Sequence, residues 1–267
     1  MSEAIARRDR DLGNFIPGPS LDDYRPRFDP HFHLERHDGI LTIRMHSEGR
    51  AARWSRGLLN AWSQLLREVG ADRDNEVVII TGTDESWLAG VEASSFAQPM
   101  SQWDSDLVTE QYHDGVKVLE RLVFDIDVPT IAAVNGPGPR LELALLCDLT
   151  LCVPGVVFGD GNFRAGSAPG DGMYLALSEL AGPKRASHAV YTGQGIPAAE
   201  ALRLGIVNEV LPQADLMPRA LDLAAQIMAR PRTARRLTHG IVSRGWQRRL
   251  VTELRDTYAR QLLGMTT

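Results

Sequence analysis

The chain has 267 residues, of which 43% are hydrophobic and 24% charged, and its formal net charge is -5 at pH 7. This length and composition are typical of a folded globular protein with a sizeable core, and they argue against fibrous and disordered classes. The acidic balance offers no basic surface for nucleic acid, and no apolar run reaches the roughly 18 residues needed to span a membrane.

The first residues, MSEAIARRDRDLGNF, carry charges but lack the apolar centre of a signal peptide. We therefore expect a cytoplasmic protein. Cys147 and Cys152 lie in a strongly apolar stretch, which favours two buried, reduced thiols over a disulfide.

Residues 1–30 contain prolines among polar residues and show no sustained hydrophobic period. This pattern predicts an N-terminal arm that either lies on a neighbour or is disordered. The next segment, HLERHDGILTIRMH, alternates around Asp38-Gly39 and predicts a β-hairpin. His33 and His37 would then be surface residues rather than ligands.

Further along the chain, helical and strand patterns alternate. SRGLLNAWSQLLREVGAD predicts an amphipathic helix and EVVIITG a strand, and the pair is repeated in DGVKVLERLVFDIDVPTIAAVNG and again in LELALLCDLTLCVPGVVFG. Alternating helices and parallel strands indicate an α/β fold that binds ligands at the carboxyl ends of its strands. From about Ala186 the sequence is mostly helical. We divide it into the arm, a core over residues 31–200 and a helical C-terminal region over 201–267.

Three segments together resemble the crotonase (enoyl-CoA hydratase/isomerase) superfamily: VVIITGTDESWLAGVEASSF, VPTIAAVNGPGPRLELALLCDLTL and YTGQGIPAAEALRLGIVNEVLP. The resemblance implies a crotonase fold, a spiral of ββα units with a helical C-terminal trimerisation region, assembled as a homotrimer or a dimer of trimers. It also implies an enzyme that stabilises an enolate with two backbone N–H groups, the oxyanion hole. The substrates of the superfamily are most often CoA thioesters.

By this resemblance, Val91 supplies one donor of the oxyanion hole. The second donor falls in the loop PGPR, where Pro139 takes the place of a residue with a free N–H and has none to give. Either the N–H of Arg140 or Leu141 replaces it, or the hole is compromised.

Hydratases of the superfamily add water with two glutamates. Glu142 matches the first, whereas the position of the second falls on Asn162, which cannot titrate and is therefore a candidate for substrate binding only. A conventional hydratase mechanism is therefore disfavoured. Glu142 either faces the pocket or pairs with an arginine, and Arg140 is expected to be too near in sequence to be that arginine.

The segment PGDG, together with MHSEGRAARW and VNGP, resembles the 6-oxocamphor hydrolase (β-diketone hydrolase) branch. These enzymes cleave a C–C bond between two ketones by retro-Claisen hydrolysis and need no CoA. The resemblance implies that Trp54 contacts a substrate carbonyl and that Asp171 orients a histidine that activates water.

That histidine is missing here, because its place falls on Asn162 or Phe163. A second pocket histidine would fall near Arg140, and a downstream glutamate falls on Gln261. The chain thus resembles this branch more in its scaffold than in its chemistry.

Several residues are candidates for the missing roles. Arg140 either holds an oxyanion or carboxylate with its fork of donors or is a solvated loop residue. His113 is a candidate replacement base or a surface histidine, and Tyr174 either donates to a carbonyl or packs. Asp171 is either a pocket carboxylate or the N-cap of the following helix. His46 is expected to pack.

The sequence leads to three hypotheses. The first is a β-diketone C–C bond hydrolase with a divergent active site, whose partner is a small carbonyl substrate. The second is an enoyl-CoA hydratase or isomerase that uses Glu142, and the third is a catalytically silent binding homologue. We predict no metal, no cofactor, no nucleic acid and no membrane partner, with CoA entering only as part of a substrate under the second hypothesis.

Overall fold

The computed structural model describes residues 17–96 and 102–265. Its strands are β1 (Phe32–His37), β2 (Ile40–Met45), β3 (Val77–Thr81), β4 (Thr130–Val134), β5 (Leu149–Cys152), β6 (Val157–Phe158), β7 (Ile196–Pro197) and β8 (Glu209–Val210). Six of them form one sheet in the order β1-β2-β3-β4-β5-β8, and β6 and β7 form a small second sheet.

The helices surround the larger sheet and continue into the C-terminal region. They are α1 (Leu21–Phe28), α2 (Arg56–Ala71), α3 (Ser105–Phe124), α4 (Glu142–Leu145), α5 (Met173–Ala181), α6 (Pro183–Thr192), α7 (Ala198–Leu204), α8 (Gln213–Met228), α9 (Arg232–Val242), α10 (Arg244–Arg249) and α11 (Arg255–Gly264). Ala93–Phe96 forms a 3₁₀ turn, and a π-helical turn over Leu250–Leu254 joins α10 to α11.

The larger sheet confirms the α/β prediction. β1 and β2 form the predicted antiparallel hairpin, with Phe32 opposite Met45, whereas β2 to β5 and β8 run parallel. Every residue of β3 and β4 is buried, as expected for parallel strands covered on both faces. The carboxyl ends of the parallel strands therefore meet at one edge of the sheet, where the candidate site is found.

The end of the N-terminal segment is folded, contrary to the expectation of an arm. α1 buries Leu21, Tyr24 and Phe28 against the core, and the Tyr24 hydroxyl donates a 3.2 Å hydrogen bond to the Asp72 carboxylate. The helix is short and contains Pro26, which explains why no helical period was recognised. Residues 1–16 lie outside the described part of the chain.

Two further boundaries differ from the prediction. β8 pairs with β5, so the last strand of the sheet comes from the region expected to be mostly helical. Two residues are too few to show an alternating pattern. α3 begins at Ser105, which places His113 inside the helix instead of ahead of it. The remainder of residues 201–265 is mostly helical, as predicted.

Cys147 and Cys152 are free and buried, as expected. Within residues 17–96 and 102–265, no helix combines the length and apolar character that a membrane span requires.

Candidate active site

The motif Val-Asn-Gly at the end of β4 joins two loops at the carboxyl edge of the sheet. The Asn135 amide accepts a 3.0 Å hydrogen bond from the N–H of Gly82 and donates a 2.8 Å bond to the carbonyl of Asp84. A Cβ atom on Gly136 would lie 1.9 Å from the carbonyl oxygen of Glu85, so only glycine fits. The loops that follow β3 and β4 are therefore held close together.

Arg140 follows these residues with an unusual backbone. Its φ is +64°, a left-handed conformation that costs a non-glycine residue about 1 kcal/mol. The turn is supported by the indole N–H of Trp87, which donates to the Arg140 carbonyl over 3.3 Å. This turn directs the Arg140 side chain into the protein rather than to solvent.

The guanidinium of Arg140 joins three of the residues singled out in the sequence. Its Nε lies 2.7 Å from Glu142 Oε1, its Nη1 lies 2.9 Å from Asp171 Oδ2, and its Cζ lies 4.6 Å from the centre of the Trp54 ring. The Arg140 side chain is 8% exposed and that of Glu142 is 2% exposed. Arg140 is thus a buried ion-pair partner and not a solvated loop residue.

The expectation that Arg140 is too close in sequence to pair with Glu142 was wrong. That reasoning applies to two residues on one helix, whereas α4 begins at Glu142 and Arg140 precedes it in the left-handed conformation. The left-handed backbone at Arg140 turns its side chain towards Glu142, the first residue of α4.

Burial dominates the electrostatics of this pair. Burial raises the pKa of Glu142 to about 8, although Arg140 acts to lower it and Asp171 adds to the rise. Burial acts to lower the pKa of Arg140, but Glu142 and Asp171 together hold it above its usual value. Arg140 is therefore permanently charged, whereas Glu142 can carry a proton near neutral pH.

Asp171 faces this cluster and does not cap a helix. The N-cap of α5 is Gly172, and it makes no side-chain capping bond. Asp171 Oδ2 instead contacts Arg140 and accepts a 3.0 Å hydrogen bond from the amide of Asn162. Of the two roles left open for Asp171, the structure favours the pocket carboxylate.

Asp160 and Gln261 complete the cluster. The Asn162 amide also donates to Asp160 Oδ2 over 3.2 Å, and its oxygen accepts a 3.1 Å bond from the Gln261 amide. Burial raises the pKa of Asp160 to about 6, and the charge of Asp171 adds to the rise. Asp160 was not among the candidates selected from the sequence. The segment GDGN, which directly follows β6, could have indicated it, because it places a carboxylate two residues before Asn162.

Five buried polar atoms of this cluster have no hydrogen-bond partner among the described residues. Two of them, Arg140 Nε and Glu142 Oε1, form the 2.7 Å ion pair. The other three are Nη2 of Arg140, Oδ1 of Asp171 and Oε1 of Gln261. An unpaired buried polar group costs about 1–3 kcal/mol. A molecule with both a hydrogen-bond acceptor and a donor would satisfy such a set.

Three backbone N–H groups near the site make no hydrogen bond among the described residues. The Trp54 N–H donates to the carbonyl of Gly90, and its carbonyl accepts from the N–H of Glu92, so the N–H of Val91 points the other way. That N–H, like those of Arg140 and Leu141, donates to no group in the described part of the chain. These are the positions at which the sequence predicted the oxyanion-hole donors.

The structure does not bring His113 into the cluster. Its side chain is 54% exposed and lies 3.2 Å from Asp114, and it lines a surface depression of about 550 Å³ together with Asn60 and Arg67. A role as replacement base is therefore not supported. Tyr174 is half-buried and packs against the core, and His46 accepts a local hydrogen bond from the Gly49 N–H.

Tyr258 is a neighbour of the cluster that the sequence analysis missed. It is 4% exposed and interacts electrostatically with Arg140. Its hydroxyl accepts a 3.1 Å hydrogen bond from the Gln111 amide. A Cβ on Gly115 of α3 would lie 2.0 Å from the Tyr258 ring. The glycine inside α3, unfavourable for a helix, is the sequence signal that could have indicated a close neighbour.

Comparisons with known proteins identify the family to which the chain belongs. Residues 35–263 match the family model for enoyl-CoA hydratase/isomerase. The chain is 35% identical to the crotonyl-CoA hydratase of Syntrophomonas wolfei, with 67% of this chain and 68% of the relative covered, and 30% identical to the short-chain-enoyl-CoA hydratase of Clostridium acetobutylicum, with 80% and 81% covered.

Among solved structures, a β-diketone hydrolase from the cyanobacterium Anabaena sp., bound to (S)-3-oxocyclohexyl acetic acid, is 30% identical with a TM-score of 0.86, and the match covers 91% of this chain and 97% of that one. An enoyl-CoA hydratase/isomerase from Mycobacterium paratuberculosis, 21% identical with a TM-score of 0.82 and 89% and 94% covered, shares the fold. By its family match and its fold, the chain belongs to the enoyl-CoA hydratase/isomerase family, the crotonase superfamily.

Proposed function

We propose that this protein is an enzyme that hydrolyses a C–C bond of a 1,3-diketone through an enolate. One observation carries the proposal: the buried Arg140 guanidinium stacks on Trp54, and its Nη2 has no hydrogen-bond partner in the described part of the chain. A carbonyl oxygen that accepts from Nη2 gains a charge-assisted hydrogen bond, which strengthens as the oxygen becomes an enolate oxyanion. Arg140 would thus take the place of the lost glycine N–H and of the missing pocket histidine.

The remaining groups supply the proton transfers. Asp171, through Oδ1, takes a proton from water while the water oxygen bonds to one carbonyl carbon. The bond between that carbon and the central carbon then breaks, and its electron pair becomes the enolate held by Arg140. Glu142, which carries a proton near neutral pH, protonates the central carbon. The products are a carboxylic acid and a ketone, and exchange with solvent restores both carboxyl groups.

The charges of the site favour a neutral substrate. Three carboxyl groups, those of Glu142, Asp160 and Asp171, interact with the Arg140 guanidinium. An additional anion would meet net repulsion there. A neutral diketone meets none, and the carboxylate formed by hydrolysis is repelled from the site. The name of the Anabaena β-diketone hydrolase supports the same substrate class.

The test is turnover of a panel of monocyclic and bicyclic 1,3-diketones beside crotonyl-CoA. We expect hydrolysis of at least one diketone, and a loss of roughly 100-fold in kcat/KM for Arg140→Met and for Asp171→Asn, the size of effect seen when one oxyanion donor is removed. Arg260→Ala is the matched control, because Arg260 is 70% exposed and pairs with the exposed Asp256 one turn earlier in α11. Unchanged turnover in Arg140→Met, or no diketone hydrolysed, overturns the proposal.

A second candidate function is hydration or isomerisation of a CoA thioester by Glu142. The raised pKa of Glu142 suits a general acid, and the relatives from S. wolfei and C. acetobutylicum are named as enoyl-CoA hydratases. Against it stand Asn162 in place of the second glutamate and the scarcity of lysine, with only Lys117 and Lys184 in the chain. Turnover of crotonyl-CoA but of no diketone would establish this function instead.

The third candidate function, a homologue that binds a ligand without catalysis, is supported by the enclosure of the Arg140 guanidinium. Arg140 is tied to two carboxylates and nearly inaccessible, as expected of a closed site. A protein whose melting temperature rises with a diketone or an acyl-CoA that it does not convert would fit this function, since a ligand that binds only the native state stabilises it.

We also propose that the protein assembles as a homotrimer or a dimer of trimers. Support comes from large apolar side chains that the C-terminal helices leave exposed, among them Leu237, Ile241 and Val251 at 65%, 72% and 68%. Exposed apolar side chains at this density are typical of a surface that another protein covers. Sedimentation equilibrium tests this, and a monomer at micromolar concentration would contradict it.

A further inference from the structure

The amide of Asn162 has no group left for a substrate. Its nitrogen carries two hydrogens, and these are directed to Asp171 Oδ2 at 3.0 Å and Asp160 Oδ2 at 3.2 Å. Its oxygen accepts from the Gln261 amide over 3.1 Å. The sequence analysis placed Asn162 among the substrate-binding residues; in the structure it contacts other side chains of the cluster.

Asn162 is held from both sides. Asp160, which is 6% exposed, accepts through Oδ1 a 2.7 Å hydrogen bond from the backbone N–H of Asn162. On the other side, the carbonyl of Gln261 in α11 accepts from the Ser167 hydroxyl over 3.1 Å, and the N–H of Ser167 donates to the Asn162 carbonyl over 2.8 Å. The amide of Asn162 is therefore fixed between the end of β6 and α11.

This fixed amide determines how Asp171 is oriented. Asp171 Oδ2 is engaged by both Arg140 and Asn162, which leaves Oδ1 buried and without a described partner. Two contacts on one oxygen orient the whole carboxylate and present the other oxygen to the site. Gln261, whose amide nitrogen donates to Asn162, adds an amide oxygen that is also buried and has no hydrogen-bond partner among the residues described.

We propose that Asp160, Asn162 and Gln261 form a positioning network that holds Asp171 with Oδ1 ready to accept a proton from water. The inference rests on the proposed function and deepens it, since it assigns a base and the residues that orient it. Asp160 acts through Asn162 and touches no reacting atom.

The network also makes the activity dependent on pH. Burial, with the charge of Asp171 added, raises the pKa of Asp160 to about 6. The charged groups facing this carboxyl from the neighbouring elements are Arg140, Glu142 and Asp171. The titratable Tyr258 interacts electrostatically with Arg140 and Asp171. Below about pH 6, protonated Asp160 is a weaker acceptor for the Asn162 amide, and Asp171 loses its orientation. The activity therefore falls on the acid side as Asp160 takes up its proton.

The test compares the pH profiles of Asp160→Asn, Asp160→Glu and Asn162→Ala with that of wild type, using a diketone that wild type hydrolyses. We expect Asp160→Asn and Asn162→Ala to lower kcat roughly 10-fold or more with little change in KM. We also expect Asp160→Asn to remove the acid limb near pH 6, and Asp160→Glu to restore part of kcat and a shifted limb. Asp256→Asn, an exposed aspartate of α11, is the control and should behave as wild type. An unchanged acid limb in Asp160→Asn, or a rise in KM without loss of kcat, overturns the proposal.

A measurement without substrate separates this inference from the proposed function. In protein labelled with ¹³C at the aspartate carboxyl carbons, the resonance absent from Asp160→Asn should titrate near pH 6 in wild type. The resonance absent from Asp171→Asn should change its chemical shift in Asn162→Ala. If both hold while no diketone is hydrolysed, the network stands and the reaction is wrong. If Asp160 titrates as an ordinary aspartate, or Asp171 does not respond to Asn162→Ala, the network is wrong whatever the reaction. Should Asp160→Asn fail to fold, Asp160→Glu and Asn162→Ala decide the question.

Discussion

Replacing Arg140 by methionine is expected to destabilise the protein in a pH-dependent way. The substitution keeps an unbranched apolar side chain against Trp54 but removes the cation that lies 2.7 Å from Glu142 and 2.9 Å from Asp171. Removing one partner of a buried ion pair costs about 3–5 kcal/mol, because the other charge stays buried and uncompensated. We expect a loss of this size in the free energy of unfolding at pH 8.5.

The loss should be smaller at pH 5.5. Arg140 lowers the pKa values of Asp160 and Glu142, which burial raises to about 6 and about 8; without Arg140 both pKa values rise further. An acid whose pKa is raised by folding stabilises the native state below its unfolded pKa, and this stability is lost as pH rises through the folded value. At pH 5.5 both groups are largely protonated with or without Arg140, so the variant differs less from wild type. Each further unit of raised pKa adds about 1.4 kcal/mol to the loss above pH 6.

The assay is urea unfolding at pH 5.5 and 8.5 at constant protein concentration and salt. Arg140→Lys is the matched control; it keeps the charge without the planar fork and should lose less than Arg140→Met at pH 8.5. A loss below about 1 kcal/mol, the range of an exposed ion pair, would refute the reasoning. An equal loss at the two pH values would also refute it.

Three further predictions concern stability, each measured by urea unfolding. Gly115→Ala should destabilise the protein by roughly 1–3 kcal/mol, because the new methyl meets the Tyr258 ring at 2.0 Å; the gain of about 1 kcal/mol usual for this exchange in a helix would show that the ring moves freely. Asp160→Asn should raise the free energy of unfolding by roughly 1–3 kcal/mol above pH 6.5 but not at pH 4. The pKa of the wild-type carboxyl is raised to about 6, so the wild-type protein loses stability as the pH rises from 4 to 6.5. A gain equal at both pH values would contradict this. His239→Gln should lower the free energy of unfolding more at pH 5.5 than at pH 8.5. Burial lowers the pKa of His239, but its 2.8 Å contact with Asp148 raises that pKa by more, and a raised histidine pKa gives stability that is lost as the pH increases. A larger loss at pH 8.5 would exclude a charged pair.

Much of the fold could be predicted from the sequence because its signals are local. The hairpin follows from alternation around Asp38-Gly39, and β3 and β4 follow from short β-branched or apolar runs that end at glycine. α1 was missed since Pro26 and polar residues hide its apolar positions. β8 was missed because a two-residue strand has no period, and only its pairing with β5 defines it.

The candidate site was only partly predictable. Trp54, Glu142 and Asp171 could be selected by position, but their convergence on Arg140 depends on a left-handed backbone at that residue. Residue propensities do not predict this conformation at an arginine, because non-glycine residues rarely adopt it. The same holds for Asp160, whose part in the site depends on a carboxylate and an amide that meet only in the folded chain.

The reaction depends most on what Arg140 binds, and a crystal structure of Asp171→Asn soaked with a hydrolysable 1,3-diketone tests this directly. We predict a ligand oxygen within hydrogen-bond distance of Arg140 Nη2, with the guanidinium still stacked on Trp54. A diketone bound elsewhere, or an Arg140 side chain turned out of the cluster with the ligand on Glu142 alone, would contradict the assignment of Arg140 as the group that holds the enolate.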